Sequence, residues 1–246
     1  MTSIVFDQSG DSIVRLEDQI DGTRKVIFED GSLFALIKAS ELNAQEAWFS
    51  YHQPATWAEY NFKQELWRTI QMGVRDFYIP RHTPTFSNDG NGIVFALGKM
   101  PALGKSLAWW NLAAARYAPF RHSRLGTEME YKAFLGCLIK SWVEEGCPID
   151  VAWSTVCNDS GAVSYYQNAE FWYPAPRPTG SCEHFGLCDL ANVQKILAPD
   201  WLRHIYPVVS GNWMNTSYDY PLSKVEYYQN YTVANYTAAG WIVLEA

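Results

Sequence analysis

Apolar positions fall along the chain in two rhythms. Between Thr56 and Gly73, the residues Trp57, Tyr60, Phe62, Leu66 and Ile70 recur at near-helical spacing, and Gly73 is a natural stop, so a helix is expected there. A second helix is expected over 128–145. Leu135, Leu138, Ile139 and Trp142 form its apolar side, and Lys132, Gly136, Lys140 and Glu144, at i+4 spacing, its wet side. Glu128 and Glu130 lie at its positive end, and Gly146 ends it. A helical stretch precedes Pro54 over 43–53, and a short helix is expected over 160–172. The remaining apolar runs are short and read as strands: several with turns between 3 and 30, then 33–42 leading into a helix, 74–80, 93–99, 106–117 and 148–156. Residues 93–99 and 106–117 are expected to pair as a hairpin across Met100–Gly104, and 83–92 reads as a loop. Beyond prolines 174, 176 and 178, residues 191–206 suggest a helix pair and 236–246 a final strand. The order is mixed α/β.

Composition narrows the classes. The chain has 246 residues, 48% of them hydrophobic, 15% aromatic and 18% charged, which suits a well-buried globular protein. A formal net charge of −7 gives no electrostatic reason to bind nucleic acid in bulk. No apolar run approaches the length of a membrane span, and the first residues, MTSIVFDQSGDS, lack a charged-then-apolar signal pattern. Five cysteines, an odd number, then point to reduced thiols and a cytoplasmic location. Cys182, His184 and Cys188 offer three soft ligands in seven residues, but the second ligand pair of a zinc site is missing, so the stretch reads as a loop with reduced thiols and no metal is expected.

The segment Arg121, His122, Ser123, Arg124, Leu125, Gly126, Thr127 lies between an expected strand and an expected helix N-terminus. Backbone N–H groups at such a junction point outward, and the helix dipole adds partial positive charge. Gly126 would let a ligand approach the backbone, and Arg121 and Arg124 could give charge-assisted hydrogen bonds. With Arg116 and His122 they make the densest positive cluster in the chain. The physical reading is a phosphate or pyrophosphate cradle; the plain alternative is a strand-to-helix turn with exposed arginines.

At this point the chain resembles the GNAT family, the acyl-CoA-dependent N-acyltransferases. Arg121-His-Ser-Arg124-Leu-Gly126 is similar to the family's R/Q-x-x-G-x-G/A loop, with Arg124 in place of the middle glycine. YAPF before it is similar to the usual strand end, and a helix closed by Gly146 follows. A stretch reaching Asn158, then Ala162-x-x-x-Tyr166-x-x-x-Glu170-Phe171, resembles the family's last signature, with Glu170 where glycine is usual and one extra residue after the asparagine. The resemblance covers roughly residues 30–173.

It implies an α/β fold: a GNAT-like mixed, mostly antiparallel central sheet flanked by helices. Residues 1–173 would form the acyltransferase-like core, and the aromatic-rich extension 174–246 would pack on it, completing the sheet and covering the acceptor site or a homodimer interface. The implied co-substrate is acetyl-CoA or another acyl-CoA, held by residues 121–127 and Asn158, and the acceptor an amine on a small molecule or protein. A backbone N–H around Asn111–Ala115 would hold the thioester carbonyl, and Tyr166, with Tyr165 as fallback, would protonate the leaving thiolate. His82, Asp76 and Glu128 are candidate bases that no spacing separates. Two alternatives stand beside this reading. YYQNAEFWY also resembles the end of Mom-type phage enzymes, which act on adenine in DNA, although the negative charge opposes that. The chain could also be a non-catalytic interaction module on a GNAT-like fold.

Overall fold

A computed structural model describes residues 4–5, 13–18, 24–28, 32–96, 99–117, 122–158, 183–184, 187–188, 193–209, 221–232 and 238–246. Its strands and helices follow from local signals in several places. Helix α2 (Trp57–Met72) starts where the Thr56 side chain accepts a hydrogen bond from the Glu59 amide, and it ends at Gly73, whose φ of 71° is left-handed. Helix α4 (Glu128–Glu144) opens with a full capping box between Thr127 and Glu130.

The strands, in chain order, are β1 (Ile4–Val5), β2 (Ile13–Asp18), β3 (Arg24–Phe28), β4 (Leu33–Ile37), β5 (Phe77–Pro80), β6 (Thr85–Phe86), β7 (Ile93–Val94), β8 (Arg124–Leu125), β9 (Glu183–His184), β10 (Leu187–Cys188), β11 (Gln194–Ile196), β12 (Tyr206–Val209), β13 (Val225–Tyr228), β14 (Ala238–Gly240) and β15 (Ile242–Glu245). Strands β2-β3-β4-β5-β15-β8 form one antiparallel sheet, with β1 also on β4. A second sheet runs β13-β12-β11-β14, parallel only between β11 and β14. The chain steps from the second sheet to the first across Trp241, between β14 and β15.

Alternation along the strands divides the core in two. Ala35, Ile37, Phe77, Ile79 and Val243 share a cluster with residues of α1 (Ala47–Ser50), α2, α4 and α5 (Ile149–Cys157). Their strand neighbours Phe34, Leu36, Tyr78, Ile242 and Leu244 cluster with α3 (Leu107–Tyr117) and with strands of the second sheet. The main sheet is therefore a middle layer with helices on one face and α3 plus the second sheet on the other. Among the described residues no helix is long and apolar enough to cross a membrane.

Several expectations are corrected. Residues 106–117 form α3 rather than a strand, so there is no hairpin across Met100–Gly104; Leu107, Trp110, Ala113 and Ala114 make one buried helical stripe. The amides of 111–115 are then within a helix and not on a strand edge. Residues 148–156 are not a strand either: α5 covers 149–157 and buries Ala152, Trp153, Val156 and Cys157. Within 191–206 the expected helix pair is replaced by β11, a turn and the start of β12. Within 43–53 the α-helix is reduced to four residues, and the expected loop over 83–92 contains β6.

The expected wet side of α4 is also covered except at its end, where Glu144 is exposed. Lys140 is buried and reaches Glu46 at 2.9 Å, and Lys132 pairs with Glu128 at 2.6 Å and Glu65 at 3.0 Å. A Cβ at Gly136 would come within 2.9 Å of Leu66. Helices α1 and α2 lie where water was expected, and carboxylates pair with both lysines. Expected helix 160–172 lies outside the described residues.

Candidate functional site

Three elements meet at Trp241. Two residues of β8 pair with β15, so Arg124 lies opposite Val243 and Leu125 opposite Ile242. The Gly126 amide then donates to the Trp241 carbonyl at 2.9 Å, and the Gly126 carbonyl accepts from the Ala198 amide at 2.8 Å. A side chain at Gly126 would overlap the Trp241 ring and come within 2.7 Å of Val243 Cγ1. Gly126 is thus required for close packing against the indole. The expected role, opening the backbone to a ligand, is not what the contacts show.

The loop's other polar groups are largely committed. The Arg124 guanidinium makes a two-pronged pair with Glu130, at 2.8 and 2.6 Å. The Thr127 amide donates to the same carboxylate at 2.8 Å, and Thr127 Oγ1 accepts from the Glu130 amide at 3.2 Å. Burial alone would raise the Glu130 pKa, but the hydrogen bonds from Arg124 and Thr127 outweigh it and hold the carboxyl below its ordinary value. The same bond raises Arg124. Ser123 Oγ donates to the Ala114 carbonyl at 2.6 Å, tying the loop to the last turns of α3, and His122 holds a left-handed φ of 48°. As a pyrophosphate cradle the segment fits by place, at a helix N-terminus, but not by its donors: the amides of Gly126 and Thr127 and the fork of Arg124 are already satisfied from within the chain.

The calls on Arg121, Tyr165 and Tyr166 lie outside the described residues. Asn158 is not brought to the loop. It ends α5, accepts from Thr56 Oγ1 at 2.5 Å and donates to Glu59, at the N-terminus of α2. Among the candidate bases, Asp76 accepts from the Ser40 amide at 2.9 Å, and Glu128 is held by Lys132 and by the Tyr227 hydroxyl at 3.1 Å. Burial and that carboxylate push the Tyr227 hydroxyl up to about 12. His82 is buried and lines a cavity of about 30 Å³ beside Trp241, with Thr83, Phe134, Lys195 and Gly240. Lys195 donates to the Val193 carbonyl at 3.1 Å. The cavity lies where the two sheets separate, and it has room for about one molecule of water size.

A larger hollow, about 300 Å³, opens on the other side of α3. Trp109, Leu112, Ala113, Arg116 and Tyr117 of that helix face Asn91, Gly92 and Ile93 across it. It combines ring faces, one cation and an amide, which suits a flat ligand carrying negative charge. Lys195, Trp241 and this hollow were not legible as site features. The one available signal was Gly-Trp between two apolar runs at 240–241.

A second polar cluster was missed altogether. His52, 1% exposed, stacks on Trp153 with ring centres 4.4 Å apart and planes 5° from parallel. Its Nε2 lies 3.2 Å from Glu59 and its Nδ1 3.4 Å from Asp150, and Lys63 donates to its carbonyl at 2.5 Å. Burial is the largest influence and lowers the His52 pKa from 6.5, against the opposing pull of Asp150 and Glu59. The folded state therefore favours the neutral ring, while the unfolded chain takes up a proton first as pH falls. Stability is expected to be level above about pH 7 and to decline as pH drops below 6.5. Thermal unfolding of His52→Gln across pH 5–8 should show a shallower acid decline than the parent; equal slopes would remove His52 from the account.

No protein-family model matches the chain, and comparison with curated proteins finds no match.

Proposed function

We propose that the chain is an acyl-CoA-dependent N-acyltransferase, moving an acetyl or other acyl group to an amine on a small molecule or protein. One observation supports this above the others. The loop similar to the family's CoA loop abuts Trp241, where the two sheets part, and the same helix α3 borders both that seam and the 300 Å³ hollow. In this reading the nucleotide end of CoA lies against Trp109 and Tyr117, and Arg116 meets its phosphates; Arg121 keeps the phosphate-binding role that its motif implies. The amides of Gly126 and Thr127 take no part. Bound acyl-CoA would supply the activated thioester. The chain's own share would be to orient it and to give the leaving thiolate a proton from Tyr166, made good by the proton the amine loses as its C–N bond forms and the C–S bond breaks.

Each arginine–phosphate bond is expected to contribute about 1.5–3 kcal/mol, roughly tenfold or more in affinity. Calorimetric titration with acetyl-CoA and with CoA should give saturable binding, and Arg116→Ala and Arg121→Ala should each weaken it by that factor. No binding of either compound by the folded protein sinks the proposal. That result would favour a non-catalytic interaction module, the reading that the closed capping box and the filled space at Gly126 support.

A further inference from the structure

Charge is not spread evenly along the chain. Residues 77–127 hold six lysines and arginines against the single acid Asp89, in a protein whose net charge is −7. Residues 128–158, which make α4 and α5, hold two lysines against five acids. The fold keeps these stretches apart: β6, β7 and α3 cover one face of the main sheet, and α4 and α5 cover the other.

On the basic face the hairpin of β6 and β7 stands beside α3, and the 300 Å³ hollow opens between them. Trp109, Leu112, Ala113, Arg116 and Tyr117 recur at helical spacing, so they share one side of α3. Trp109 and Arg116 are two turns apart, about 10.5 Å along the axis. Lys105 lies at the Trp109 end, its Nζ 5.0 Å from the Trp109 ring centre and 5.2 Å from that of Phe86. No ion pair among the described residues uses Lys105 or Arg116, whereas Arg124 of the same stretch is committed to Glu130.

We propose that this face binds single-stranded nucleic acid, with one unstacked base in the hollow against Trp109 and Tyr117, Asn91 at its edge, and the flanking phosphates on Lys105 and Arg116. Strands are held where cations alternate with aromatic rings, and a local groove of that kind does not need a basic protein around it. The acidic remainder of the chain repels a strand and so turns the basic face toward it. The hollow is at the small end of ligand pockets, a size that suits one nucleotide. An acidic peptide would use the two cations but leave the rings and the Asn91 amide without a flat partner. A duplex keeps its bases stacked and paired, so it fills the hollow only by flipping one out. The inference goes beyond the acyltransferase reading and does not rest on it. The nucleotide end of CoA has the same chemistry, so a strand and CoA exclude one another from the hollow.

Fluorescence anisotropy of end-labelled oligo-dT and oligo-rU, titrated with the full chain, tests this. Binding of either strand is expected, weakening roughly sevenfold between about 50 and 200 mM salt if two phosphates are held. Arg116→Gln, at an exposed side chain, should weaken binding and lower the salt slope by about 0.7. Trp109→Leu should weaken it at least about fivefold and leave the salt slope unchanged, which reads the stacked base apart from the phosphates. Arg68→Gln, on α2 across the sheet, should change neither. No binding of either strand at low salt overturns the proposal, as does binding that Arg116→Gln leaves unchanged. A duplex held as tightly as the strand overturns the unstacked base, and a strand and CoA bound together place the strand outside the hollow, which also overturns it. A bound strand without CoA binding leaves this inference standing and removes the acyltransferase reading; CoA binding without a strand does the reverse.

Discussion

Replacing Trp153 by Ala is expected to cost about 3–5 kcal/mol of stability, the range for emptying a fully buried large side chain. For a chain of this size that lowers Tm by roughly 10 °C. Trp153 is fully buried, and its Nε1 donates to the Trp48 carbonyl at 2.9 Å. Phe49 and Phe62 meet it edge-on, each with ring centres 5.9 Å away, and His52 stacks on it. Truncation would remove these contacts together and leave the Trp48 carbonyl without its donor. Urea unfolding of Trp153→Ala against the parent reads the loss. A change below about 1 kcal/mol would mean that α5 does not pack as described.

The second large effect concerns Gly126. Gly126→Ala is expected to destabilise by about 1–3 kcal/mol, because the new methyl group has nowhere to go but into the Trp241 ring and Val243. The same change made on a Trp241→Ala background should cost clearly less, only the contact with Val243 remaining. The double-mutant cycle would then give a coupling of about 1–3 kcal/mol between two residues far apart in sequence. Additive losses would argue against the contact. Unchanged stability with weakened CoA binding would return Gly126 to the role its motif suggested, that of admitting a ligand to the backbone.

These two residues also show what could be read in advance. Some end signals were local and therefore visible: Gly73 after α2, and the acids Glu128 and Glu130 at the start of α4. Residues 149–157 were misread because Ile149, Val151, Thr155 and Val156 favour strands, yet Ala152, Trp153, Val156 and Cys157 are buried at helical spacing. In 107–117 two tryptophans gave a strand-like composition to a helix whose buried row is Leu107, Trp110 and Ala114. Period, not propensity, was the correct guide in both. On α4, Lys132 and Lys140 signalled water, but the cover comes from α1 and α2, and apart from Glu128 the carboxylates that pair with them are distant: Glu65 lies 67 positions from Lys132 and Glu46 94 from Lys140.

The candidate site suffered from the same distance. Glu130 was legible as a helix-start acid, but not as the partner that would occupy Arg124 and the Thr127 amide together. Nor does any local pattern announce that Trp241 fills the space beside Gly126, more than a hundred residues earlier. Tertiary contacts of this span determine whether a glycine loop is open or filled.

The place of β15 has a consequence for how the chain is made. Residues 242–245 lie between β5 and β8, in the interior of the main sheet, although they follow every other described strand of that sheet in sequence. On a ribosome, the sheet from β2 to β5 and the unit of β8 with α4 emerge long before the strand that joins them. Until that strand clears the exit tunnel, the hydrogen-bonding edge of β5 faces solvent beside Phe77 and Ile79, with no strand of its own chain to accept. Closure of the middle layer therefore waits on the strand of that sheet that is made last. A nascent chain stalled shortly before residue 242 carries an open, apolar sheet edge, the kind of surface that chaperones hold and that mispairs between neighbouring chains when they do not.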